Sequence, residues 1–423
     1  MAFHFAATCS ESKNDRRRIW LSAIASAFTL WSATVVGAAE PALLGRQVML
    51  RDTGGQIDST VVGQPGGVGA TNSWEVLTVL REREGKVWVR NRDSEGWLPA
   101  TSVVPVEDAV DWFTKQIDAS PQDESAYAHR ARAHHFLGDY EKAISDFTEA
   151  LKLSPSGSWI WNNRAIVYSD MKEYDRSLAD YTKAIEINAS YYLALSNRGM
   201  IWMRKKEFAK AHQDLARSIE MNPQYGFVYS NRAIVWLAQN KPEEAVKDCD
   251  KALRINPGAT GIRSVRGQVF LALKRYDDAI QELNMAIRLE PCNSSAYAYR
   301  SRVRNRMADH AGAERDIVEA IRLRPMIDWY YCDYSHFLAT TTDAKLRNIK
   351  KAEEMLEQAR RRNVDQDGRY FAVCAAVAAE AGRFADAVEL QQKANRDEYL
   401  SPDDKMEYER RLSTYRAKQP WRE

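Results

Sequence analysis

The sequence predicts a mainly α-helical chain, a solenoid of helix-turn-helix repeats preceded by a small all-β domain. Three observations carry that prediction. Pro121, Pro155, Pro223, Pro257, Pro291 and Pro325 are separated by 34 residues or a multiple of it, and the one vacant mark holds Ala189. Alanines keep the same interval at Ala109, Ala143, Ala211, Ala245, Ala279 and Ala313, with Ser177 in the gap. Ahead of this array, residues 44–105 alternate as strands do. A repeat of this length that ends in proline is a stacked helix-turn-helix unit. Such stacks usually work by offering a long binding surface.

The chain has 423 residues, 45% of them hydrophobic and 28% charged, as folded domains do. Its net charge is +2, and residues 1–39 alone carry +2, so the remainder is neutral. A neutral body gives no electrostatic reason to expect nucleic-acid binding. In the leader, Arg16-Arg17-Arg18 precedes an apolar run from Ile19 to Val36, and Gly37-Ala38-Ala39 offers small residues for cleavage. Residues 1–39 therefore read as an export signal. The alternative is a retained membrane anchor, since the run is near the length that spans a bilayer. Ser22, Ser26, Thr29, Ser32 and Thr34 dilute it and favour the signal peptide. The expected location is the periplasm or cell envelope, with membrane contact only if the leader is kept.

In residues 44–105, Gln47 to Arg51 alternates as a strand, and a glycine-rich loop runs from Gly54 to Gly69. Trp74 to Leu80, Lys86 to Arg90 and Glu95 to Leu98 supply further strands, with a turn at Arg83-Glu84-Gly85. The tail Gly96-Trp97-Leu98-Pro99-Ala100-Thr101-Ser102-Val103-Val104 resembles the end of bacterial SH3-like barrels. That resemblance implies a barrel closed by Gly-Trp and an apolar residue, in a family whose members often bind peptides or cell-wall stems. Trp74, Trp88 and Trp97 are then either core or an exposed aromatic face.

Counted in units of 34, repeats one to six begin at Glu124, Ser158, Tyr192, Gly226, Thr260 and Ser294. The fourth place of helix A is large: Tyr127, Trp161, Leu195, Tyr229 and Tyr297, with Arg263 in repeat five. The eighth place is small: Ala131, Ala165, Gly199, Ala233, Gly267 and Ser301. Small residues let two helices approach closely. This pattern resembles the tetratricopeptide repeat (TPR). Val106 to Pro121 carries the helix-B pattern alone and is expected to cap the array over residues 106–121. Residues 124–327 hold the six repeats, and 328–397 two divergent ones with an insertion near Ala339 to Asp343. Residues 398–423 form a closing helix and tail, with Ser401 at the N-cap and Pro402 in the first turn.

Arginine holds the seventh place of six repeats: Arg130, Arg164, Arg198, Arg232, Arg266 and Arg300. An acid holds the twenty-third: Asp146, Asp180, Asp214, Asp248, Glu282 and Asp316. Both vanish together in the divergent repeats, where Tyr334 and Cys374 replace the arginine. Pairing within each repeat accounts for all six, whereas pairing with the previous repeat would set Arg130 against Trp112. The ladder is expected to be structural, with bidentate bonds between helices A and B.

The TPR resemblance implies an inner wall made by helix A at places two, five, six, nine, twelve and thirteen. The sixth place gives Asn163, Asn197 and Asn231 in consecutive repeats. An amide donates and accepts, so such a row can hold the backbone of an extended peptide. Around it lie Trp159, Ile166, Leu193, Met200, Met203, Phe227, Ile234 and Leu237. The alternative is that these side chains bury between repeats or that the asparagines bond one another. Arg302, Asn305 and Arg306 would line the same wall further on and suit acidic groups or a C-terminal carboxylate.

Cysteines 9, 249, 292, 332 and 374 have neither zinc-ligand nor redox spacing, and Cys249 reads as a buried thiol. His129, His134 and His135 share a helix without the one-turn spacing of a two-histidine zinc site. No phosphate loop or nucleophile elbow is present. The expectation is a bacterial, exported, non-enzymatic scaffold without cofactor or metal, binding a partner's extended segment. The alternative is a cell-envelope protein whose β domain binds peptidoglycan peptides, with the repeats as a spacer.

Overall fold

The computed structural model describes residues 47–50, 77–90, 95–362, 364–398, 400 and 402–423. The leader, the glycine-rich loop, Trp74 and the N-cap at Ser401 lie outside them. The chain forms two compact units, Met1–Ile201 and Trp202–Glu423.

The first unit opens with strands β1 (Gln47–Leu50), β2 (Leu77–Arg83), β3 (Lys86–Arg90), β4 (Glu95–Pro99) and β5 (Val103–Pro105). They make one antiparallel sheet in the order β4-β3-β2-β1-β5. Glu84 and Gly85, with φ of 51° and 74°, turn β2 into β3. Two left-handed residues give a hairpin the twist its strands need. One face of the sheet buries Val48, Leu50, Val79, Val87, Val89, Leu98 and Val103.

The closed SH3-like barrel is not found, because β4 and β5 stay unpaired with each other among the described residues. β5 is three residues long and runs straight into helix α1 (Val106–Ala119). Met49 and Val104, pointing to the other face, pack with Val106, Ala109 and Phe113 of α1. That face is therefore covered by a helix. Ala133, from the first repeat, joins the same cluster and ties sheet, cap and array together.

The repeats follow as helix pairs. In the first unit these are α2 (Glu124–Leu137) with α3 (Tyr140–Leu153), and α4 (Ser158–Asp170) with α5 (Tyr174–Ile187). Helix α6 (Tyr192–Arg204) contains the unit boundary. The second unit continues with α7 (Phe208–Met221), α8 (Gly226–Ala238), α9 (Pro242–Ile255), α10 (Thr260–Ala272), α11 (Tyr276–Leu289), α12 (Ser294–Arg306) and α13 (His310–Leu323). The divergent pairs are α14 (Asp328–Thr340) with α15 (Ile349–Arg361), and α16 (Gly368–Glu380) with α17 (Phe384–Asn395). Helix α18 (Pro402–Arg416) closes the chain.

Each repeat is built from the same devices. At the A–B crossing a Cβ on Gly267 would stand 2.6 Å from Leu283 Cγ, so only glycine fits that spacing. Where serine replaces a small apolar residue it bonds across the crossing. Ser177 Oγ donates to the Ala165 carbonyl at 2.8 Å, and Ser301 Oγ to that of Ala313 at 2.7 Å. The A–B turn places Gly138, Lys172, Lys206, Asn240, Lys274 and Ala308 in the left-handed region. The fourth-place side chain holds the preceding turn. Trp161, Tyr229 and Arg263 donate to the carbonyls of Pro155, Pro223 and Pro257 at 2.9, 3.2 and 2.7 Å. Arg263 thus substitutes for an aromatic residue by reaching the same acceptor.

The arginine ladder forms within repeats. Arg130 donates to both oxygens of Asp146 at 2.8 and 2.7 Å, and Arg164 to those of Asp180 at 2.7 and 2.9 Å. Arg232 with Asp248 and Arg300 with Asp316 repeat the fork, and Arg266 bonds Glu282 at 2.6 Å. Arg198 and Asp214 belong to different units. Arg130, Arg164, Arg232 and Arg300 also stack near the fourth-place ring, at 4.9 Å for Arg164 on Trp161. The sequence reading missed a third contact. Nη1 reaches the twenty-fifth place of the preceding repeat: Thr114, Thr148, Thr182, Asp250 and Asn284 for Arg130, Arg164, Arg198, Arg266 and Arg300. The ladder therefore closes five repeats through Arg130, Arg164, Arg232, Arg266 and Arg300, and five of its arginines also reach back to the preceding helix pair or cap.

Candidate functional site

In the first unit the inner-wall places fall on α2, α4 and the start of α6. Trp159, Ile166, Leu193 and Met200 are half-buried there. The asparagines differ from one another. Asn163 is only 2% exposed, and its amide is spent internally. Its Nδ2 donates to the Trp159 carbonyl at 2.8 Å, and its Oδ1 accepts from Arg132 Nη1 at 2.8 Å. Asn197 is half-buried and donates from Nδ2 to Asn162 Oδ1 at 3.2 Å. Asn163 thus orients its neighbours, and Asn197 keeps part of its surface.

In the second unit Phe227, Asn231 and Ile234 lie half-buried along α8. Phe227 packs near the next repeat, where a Cβ on Gly261 would be 3.9 Å from its ring. Farther on, the wall is charged. Arg302 donates from Nε and Nη2 to Asp333 Oδ2 at 3.0 and 2.6 Å, and Arg369 bonds the other oxygen of Asp333. Burial alone would raise the Asp333 carboxyl, but Arg302 and Arg369 overcome it and hold it below the ordinary aspartate value. The link from Arg302 to Asp333 has the same offset as that from Arg132 to Asn163, the ninth place reaching the sixth place of the next repeat. That 31-residue offset was present in the sequence as a signal.

Arg306 does meet acidic groups, and they belong to the chain itself. Its Nη1 lies 3.7 Å from Glu407 Oε2 on α18 and 3.7 Å from Glu423 Oε2. Asn305 is taken by His310 at 2.9 Å. Glu423 Oε1 meets His336 Nε2 at 2.6 Å, and its Oε2 accepts from Arg411 at 3.0 Å. The Glu423 amide donates to the Thr340 carbonyl at 2.9 Å. Burial works against the charged form of Glu423, yet His336, Arg411 and Arg306 hold it well below the ordinary glutamate range.

Other chemistry is sparse. Cys249, Cys332 and Cys374 are buried free thiols, and burial pushes Cys249 up to about 12. Cys292 is exposed and outside any disulfide among the described residues. Among the described residues no group of His, Cys, Asp and Glu is arranged to hold a metal, and no helix is long and apolar enough to cross a membrane. Trp88 and Trp97 stand opposite each other in the β3–β4 register.

No curated protein gives a significant match to the chain. Among solved structures, it is similar to a chain of the APC/C hetero-tetramer Cut9–Hcn1 at 16% identity and a TM-score of 0.45, over 60% of this chain and 46% of that one. The chain thus spans about half the length of that relative. A tetratricopeptide repeat protein from Parabacteroides merdae aligns at 15% identity and a TM-score of 0.40, over 70% of this chain and 99% of its own. Pseudomonas aeruginosa pilF aligns at 21% identity and a TM-score of 0.39, over 50% and 97%. Family profiles match residues 125–156, 158–191 and 227–258. The chain carries tetratricopeptide repeats, a module that generally mediates protein–protein interaction.

Proposed function

We propose that this protein is a non-enzymatic interaction scaffold whose repeats hold an extended segment of a partner protein. The observation that carries the reading is the inner wall of the first unit. Trp159, Ile166, Leu193 and Met200 leave apolar surface on successive A helices, with Asn197 among them. Apolar anchors beside an amide suit a peptide whose side chains bury while its backbone bonds. Asn163 contributes by fixing Arg132 and the Trp159 backbone. Phe227, Asn231 and Ile234 supply the same residue types in the fourth repeat.

The test is selection of a random peptide library on the full chain, followed by measurement of the enriched peptides. Ile166→Glu with Met200→Glu places two charges on the wall at half-exposed positions. We expect at least a tenfold loss of affinity with an unchanged thermal melt. Equal binding by both proteins would move the site off this wall.

A further inference from the structure

We propose that the inner wall of repeats six to eight is a second binding site, guarded in cis by the chain's own last segment. The partner it takes in trans is an acidic segment with an aromatic ring beside its carboxylate. The inference concerns a different wall from the one proposed above and stands whether or not that wall binds peptide.

The segment sits on inner-wall places. Arg306 and Thr340 occupy the thirteenth place of their repeats and His336 the ninth, and all three meet Glu407 or Glu423. Arg422 reaches the thirteenth place of the last repeat, its Nη2 lying 2.6 Å from Glu380. Apolar packing anchors the helix, with Tyr415 buried against Ala375, Ala378, Ala379 and Ala387, and charge holds the residues at either end of the segment. Of its fifteen residues, α18 buries Arg411, Leu412 and Tyr415. Its start is held by Lys274 to Asp403 at 2.6 Å, a pair exposed on both sides. Exposed pairs of that kind add little to stability.

The seat also fits its occupant imperfectly. His336 Nδ1, on the wall, is buried without a hydrogen-bond partner among the described residues. A buried polar group left unbonded favours any occupant that can satisfy it. Arg411 is 4% exposed, stacks near Tyr408 and Trp421 at 5.4 and 5.6 Å, and pairs with Glu407 and Glu423. On the wall Trp421 packs against the cluster of Ala375, Ala378, Ala379 and Ala387 while Glu423 meets His336 and Arg306, so the recognition unit is a carboxylate next to an aromatic ring. A partner carrying that unit competes for the same cations.

The experiment uses the full chain and a labelled peptide with the sequence of residues 402–423 as probe. Trp421→Ala with Glu423→Lys releases the segment. We expect this variant to bind the probe at least tenfold more tightly than the unaltered protein. Adding His336→Ala and Arg306→Ala should abolish that gain, and so should a probe with Trp421→Ala and Glu423→Gln. A release variant that binds no better overturns the proposal, as does a gain insensitive to the wall substitutions. Hydrogen exchange provides the control. Release should raise exchange within 402–423 and leave α14 to α17 protected. If those helices lose protection with the segment, it is a fixed part of the fold and the proposal fails.

Discussion

Repeats one to six and the two divergent repeats after them use the same places of helix A, but they keep their charges in different locations. In five of the regular repeats arginine and acid face each other between helices A and B. In the first unit this leaves an inner wall of apolar and amide side chains. The divergent repeats have lost the ladder. Tyr334 takes the arginine's place, donating to Glu314 at 2.7 Å and accepting from Lys351 at 2.5 Å. The charges now stand on the wall, in Asp333, His336 and Arg369, where the chain's own acids and cations meet them. The difference teaches that ladder and wall are separate variables of one repeat.

Substitutions can break that comparison, and the ladder should give the largest effect. Asp316→Ala would leave Arg300 and Arg304 without their shared carboxylate, whose side chain is 4% exposed. Removing one side of such a buried pair costs about 3 kcal/mol. Chemical denaturation would measure it, and a cycle with Arg300→Ala should be strongly non-additive. Additive costs would mean that the pair is not the unit of stabilisation. Gly267→Ala tests the crossing, where overpacking against Leu283 should cost about 2 kcal/mol. In the divergent region Tyr334→Phe removes the two hydrogen bonds of the phenol without removing a charge, and about 1–2 kcal/mol is expected. A loss there equal to that of Asp316→Ala would erase the distinction.

Acid should separate the two regions as well. The Glu423 carboxyl is held below its ordinary value in the folded protein. Its contribution is therefore complete above the unfolded glutamate pKa and is lost as pH falls through that value toward its own. In the ladder, burial of Asp180 outweighs Arg164 and raises its carboxyl. The folded state then binds that proton more tightly, so acid does not favour unfolding through Asp180. Hydrogen exchange should show residues 402–423 opening in acid before α4 and α5 do. The reverse order would contradict both assignments. The smallest effect is expected at the A–B turn, where Ala308 has φ of 61°. Ala308→Gly should relieve left-handed strain and raise stability by up to about 1 kcal/mol, read as a higher melting temperature.

The repeats were legible because each device recurs at a fixed interval. Pro121, Ala131, Arg164 and Asp180 each have counterparts 34 residues on, and repetition turned a pairing question into one the sequence could answer. The third ladder contact shows the limit. Thr148, Thr182, Asp250 and Asn284 share a place and a role, but their residue types differ and hide the recurrence. Asn163 shows another. Its residue type predicted an open amide, and its neighbour Arg132 decided that the amide turns inward. The seat of the last segment has no period at all. Arg306 gave a hint of affinity for acids, but nothing local in the sequence says that Glu407 and Glu423 supply them. The barrel expectation failed because strand patterns report alternation, whereas closure depends on what covers the second face, here α1.

The most direct test of the scaffold reading is site-specific photocrosslinking with the selected peptides. A photoreactive residue is placed at Ile166 on the wall and, in a second protein, at Lys183 on the exposed side of helix B. The account predicts a crosslink from position 166 and none from 183. A crosslink from 183 alone would contradict it and place the partner on the outside of the array.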